Sequence, residues 1–75
     1  MSPEEIQRIL DIMGDRHMST TDILHELMDT SGMGYNDYRR EESRILRRMM
    51  YLTRFGYTIR IQPGESNEPT IWAVA

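Results

Sequence analysis

The sequence predicts an α+β fold in which three helices are followed by an antiparallel β-hairpin. Three observations carry that prediction. Apolar residues recur at helical spacing behind three capping signals between Ser2 and Gly56. Past Gly56 the pattern switches to alternation, in two short β-branched runs separated by a loop with proline at each end. A chain of 75 residues is long enough for one small core, so residues 1–75 read as a single domain whose elements share it.

The first helix starts at Ser2-Pro3-Glu4-Glu5. Serine caps it, proline suits the first helical position, and Glu5 completes a capping box. Ile6, Ile9, Leu10 and Met13 then recur at i, i+3, i+4 and i+7, and Gly14 ends the run. Asp15 to Met18 is a connector with room for a very short strand. Ser19-Thr20-Thr21-Asp22 is a second capping box, and Ile23, Leu24, Leu27 and Met28 form the apolar face behind it. That helix is expected to stop near Asp29 or Thr30, ahead of the turn cluster Thr30 to Gly34.

Asn36 or Asp37 is expected to cap the third helix. Its core stripe is Tyr38, Ile45, Leu46, Met49 and Leu52, and Gly56 closes it. Tyr57-Thr58-Ile59-Arg60-Ile61 alternates as a half-buried strand does, Pro63 to Pro69 is a loop, and Thr70 to Val74 is the return strand. A hairpin of two strands is not stable alone and must pack on the helices. Trp72, Met13, Met28 and Met49 are expected in the core.

Charge is unevenly distributed. The net charge is −3, yet residues 39 to 60 hold seven of the nine basic residues and only two of the twelve acids. Every basic residue is arginine, which suits planar, bidentate contact with phosphate or guanine and also serves protein interfaces. Six of the nine lie between Asn36 and Gly56. On a helical projection Arg40, Arg44, Arg47, Tyr51 and Arg54 gather opposite the core stripe, with Arg39 and Arg48 beside them. A helix apolar on one side and arginine-rich on the other packs on a domain while offering its outer face to polyanions. The competing arrangement neutralises Arg40, Arg44 and Arg48 locally with Glu41 and Glu42.

Other chemistries find little support. There is no cysteine, hence neither a disulfide nor a thiolate metal site. His25-Glu26-Leu27-Met28-Asp29 lacks the second histidine of a zinc-protease helix, and an exposed contact between His25 and Asp29 is the simpler expectation. No phosphate loop, nucleophile elbow or paired carboxylate in a pocket is present, so the chain reads as non-catalytic and without cofactor or metal. No apolar run approaches membrane-spanning length and the N-terminus lacks a basic signal start, which makes a cytoplasmic product without membrane partners the expectation.

The order helix, helix, long helix, hairpin resembles a winged helix-turn-helix domain. Ile45, Arg47, Met49, Leu52 and Gly56, followed by the run Tyr57-Thr58-Ile59, are similar in type and spacing to the recognition-helix tail of DeoR-like regulators. The likeness covers the order of elements and about fifteen residues at motif level. It implies a small transcriptional regulator that inserts its third helix into the major groove of double-stranded DNA. Arg40, Arg44 and Arg47 are then the candidates for base or phosphate contact. Asn36, Arg39 and Ser43 stand near the entry end, and Tyr51 and Arg54 lie toward the backbone. So small a reader suits a homodimer or a protein partner. The alternative is a protein-interaction module on the same scaffold, favoured by the acidic loop residues Glu65 and Glu68 and by the negative net charge.

Overall fold

The computed structural model describes residues 1–65 and 67–75. Ser66, within the loop expected from Pro63 to Pro69, lies outside the described residues. The chain folds as α1 (Pro3–Met13), β1 (Met18–Ser19), α2 (Thr20–Leu27), α3 (Tyr35–Arg54), β2 (Thr58–Pro63) and β3 (Thr70–Val74). The strands form one antiparallel sheet in the order β1-β3-β2. The expected hairpin therefore gains a third strand. The connector before α2 supplies it, through Met18 opposite Trp72 and Ser19 opposite Ile71.

Both serines cap their helices, but only α2 completes its capping box; the Glu5 carboxylate of α1 reaches Arg48 instead of the Ser2 amide. The Ser2 hydroxyl accepts from the Glu5 amide, and Ser19 and Asp22 make the reciprocal pair of bonds that satisfies two otherwise orphaned amides of α2. Two boundaries differ from expectation. α2 stops at Leu27, with Met28 already extended, because Asp29 spends its carboxylate on the Ser31 amide and turns the chain. α3 begins at Tyr35 behind Gly34, with no side-chain cap; neither Asn36 nor Asp37 takes that role. At its other end α3 closes as expected. Gly56 has φ +83°, its amide donates to the Thr53 carbonyl, and the Tyr57 amide donates to the Leu52 carbonyl. This double bond pattern is a Schellman motif, which turns the chain directly into β2.

The core lies where the three helices meet the sheet. Ile9 and Met13 come from α1, Ile23 and Leu24 from α2, and Ile45, Met49 and Leu52 from α3, with Met18 and Trp72 from the sheet. Trp72 is completely buried and is the largest of these side chains. Its indole N–H donates to the Thr20 hydroxyl at 2.9 Å, so burial of the ring leaves no unsatisfied donor. Met28 and Tyr38 pack partly against this cluster. Leu46 departs from the expected stripe and is half-exposed, because it sits at the border between the core side and the outer side of α3.

The alternation in β2 holds for only half the strand. Thr58 is buried and bonded to the Thr53 hydroxyl at 2.9 Å, while Tyr57, Ile59 and Ile61 are exposed rather than half-buried. A bulge places both Arg60 and Gln62 opposite consecutive residues of β3 and leaves Ile61 as the extra residue. No described helix is long and apolar enough to cross a membrane.

Candidate nucleic-acid interface

The eight residues that the sequence singles out, Asn36, Arg39, Arg40, Ser43, Arg44, Arg47, Tyr51 and Arg54, are all exposed on α3. They share the outer side because Ile45, Met49 and Leu52 commit the other side to the core. Two cross-helix contacts fix how that side is framed. Arg48 reaches Glu5 of α1 at 3.7 Å, and Glu42 reaches the Thr21 hydroxyl of α2 at 3.4 Å. The arginine face lies between these two anchors, turned away from the body.

Ion pairing divides the face in two. In the first half, Arg39 pairs with Glu42 at 3.9 Å, Arg40 with Asp37 at 3.6 Å and Arg44 with Glu41 at 3.4 Å. Local neutralisation is thus real. For Arg40 and Arg48, however, the partners are Asp37 and Glu5 rather than the expected Glu41 or Glu42. Pairs this exposed are worth little each, roughly 0.2–1 kcal/mol, but they lower the potential that a polyanion meets. In the second half Arg47 and Arg54 have no carboxylate partner among the described residues. Two turns of helix place them about 10 Å apart on one line, with Tyr51 between them. The Tyr51 ring packs on Phe55 at 4.7 Å, which restricts its swing. The most available positive charge therefore sits in the C-terminal half of α3, with Arg47 about one turn and Arg54 about three turns beyond Arg44.

Beside the entry end of α3 runs a cleft of about 270 Å³, lined by Thr20 and Thr21 of α2, Arg39, Ser43 and Leu46 of α3, and Pro69 and Thr70 of the hairpin. It brings Arg39 and Ser43 together with two other elements, whereas Arg40, Arg44, Arg47 and Arg54 project from α3 alone. The sequence signal for Thr20 and Thr21 was their place inside a capping box; nothing local marks Thr70 as their neighbour.

The remaining polar candidates resolve into structural roles. His25 Nε2 meets the Tyr38 hydroxyl at 3.0 Å and joins α2 to α3, so it does not contact Asp29. Backbone and hydroxyl hydrogen bonds from Ser31 hold the Asp29 carboxyl below its ordinary pKa. Arg60 lies over the Trp72 ring, 5.3 Å from its centroid. No group of three or more histidine or acidic residues among those described is placed to hold a metal ion. Comparison with family models, with curated proteins and with solved structures finds no match for this chain.

Proposed function

We propose that the chain is a winged helix-turn-helix domain that binds double-stranded DNA as a small transcriptional regulator, with α3 in the major groove and β2–β3 as the wing. The observation that carries this reading is the outward line Arg47–Tyr51–Arg54, two arginines without carboxylate partners among the described residues, flanking a tyrosine on a helix otherwise anchored by its core face. Arg47 and Arg54 contact phosphate or guanine without first giving up an ion pair. Arg40 and Arg44 do so by exchanging Asp37 and Glu41 for the nucleic acid, and Arg39 and Ser43 sit where α2 and the hairpin approach the groove. The acidic side chains Glu65 and Glu68 make the hairpin a poor phosphate grip, so affinity rests on α3.

A titration of duplex DNA at several salt concentrations tests this. Arg47→Ala with Arg54→Ala should lower the slope of log affinity against log salt by about two, one for each phosphate that an arginine no longer neutralises. Arg40→Ala should lower affinity less, since part of its charge is already compensated by Asp37. A parent protein with no salt-dependent affinity for duplex DNA removes the proposal. The pairing of Arg39, Arg40, Arg44 and Arg48 favours a second reading, a protein-interaction module without DNA. That reading stands if the parent ignores DNA.

A further inference from the structure

Phe55 stands where the fold has no need of an aromatic ring. It is the last residue before Gly56, and the bonds that close α3 run through the backbone of Leu52, Thr53, Gly56 and Tyr57. Its side chain is 59% exposed and stands outside the core cluster. It packs instead on Tyr51, which is 38% exposed, with 45° between the two ring planes. The tilt keeps the rings from covering one another face to face. The pair therefore holds aromatic surface out to solvent, with each ring limiting the freedom of the other.

The charges around the pair select what it meets. Arg47 lies one turn before Tyr51 and Arg54 one turn after it, and neither has a carboxylate partner among the described residues. Two rings set between arginines are too small and too charged for the contiguous apolar patch that marks a protein or membrane contact. An unpaired nucleotide matches both features, since it brings a π-face for the ring and a phosphate for the guanidinium. A duplex matches only the second. Its base faces are stacked on each other, and it offers edges and phosphates alone.

We infer that the C-terminal end of α3 stacks an unpaired base of DNA, so that the DNA this chain takes is a duplex flanked by single strand. The inference rests on the reading of α3 as a DNA surface and names the form of DNA bound there. Arg40 and Arg44 address the paired segment. Tyr51 and Phe55 take the base that has left it, and Arg47 and Arg54 hold the phosphates beside that base.

Three DNAs with the same paired segment test this by fluorescence anisotropy at one fixed salt concentration. One is blunt, one carries an overhang of about six thymidines, and one carries an overhang of equal length made of abasic units. The two overhangs have the same phosphates and differ only in their bases. The full chain should bind the thymidine overhang at least about tenfold more tightly than the abasic one. Phe55→Leu should erase that advantage and leave affinity for the blunt duplex unchanged. Phe55→Trp should keep the advantage, and both variants should match the parent in helical content. A parent that binds the blunt duplex but treats the two overhangs alike overturns the inference and leaves the duplex reading in place. An advantage that survives Phe55→Leu overturns it as well. A parent that binds none of the three DNAs overturns both the inference and the reading beneath it.

Discussion

Two glycines with similar backbone angles are predicted to respond differently to the same substitution. Gly56 has φ +83°, and a methyl group added there meets nothing within 4 Å, so Gly56→Ala should cost only the left-handed strain of about 1 kcal/mol. Gly64 has φ +75°, but its methyl would meet the Thr70 hydroxyl and, at 2.9 Å, the Thr70 backbone nitrogen. Gly64→Ala should therefore destabilise more than Gly56→Ala, because part of the clash is with backbone that cannot swing aside. Equilibrium urea unfolding of the two variants checks the order. Asp29 supplies a pH-dependent counterpart. Its folded-state pKa is lowered below 3.8 by hydrogen bonds from Ser31, so its contribution is present above 3.8 and disappears as pH falls through the lowered value. An NMR titration should find the Asp29 midpoint below that of an exposed aspartate, and Ser31→Ala should leave most of the shift, since the backbone amide is the larger cause.

At the scale of elements, the two sides of α3 should separate stability from binding. Alanine at Arg40, Arg44 and Arg47 together should leave helical content and melting close to the parent, since these side chains are exposed and stand outside the core cluster. Met49→Ala should cost about 2–5 kcal/mol, because Met49 is fully buried in the cluster with Ile9, Ile45 and Leu52. Circular dichroism during thermal melting distinguishes them. What was legible in the sequence follows the same division. The caps of α1 and α2, the Gly56 stop and the exposed arginine face are local patterns and emerge where the residues put them. The start of α3 was not legible, since Gly34 precedes it and has no side chain with which to cap it. β1 was legible only as room for a very short strand in the connector Asp15 to Met18; it forms at Met18–Ser19, where β3 lies beside it. The ion pairs were legible in kind but not in partner. Arg48–Glu5 depends on how α1 crosses α3, which no local spacing encodes. The apolar outer side of β2 was written in the alternation, but the bulge and the direction of the core decided which half was buried.

For the whole molecule, the single tryptophan makes cooperativity measurable. Trp72 touches the core and bonds to α2, so its fluorescence should change in one transition that coincides with the loss of helical signal. A separate, earlier fluorescence transition would mean that the sheet detaches while the helices persist. Where that residue stands also shapes how the protein comes into being. The hydrogen bond between Thr20 and Trp72 spans 52 residues, and β3 is both the central strand and the last of these elements to be synthesised. Until β3 leaves the ribosome, β1 and β2 have no partner between them and the helices enclose the space of an absent indole. The nascent helices must therefore carry their apolar residues uncovered until then, and the domain begins to fold in earnest only once β3 is free.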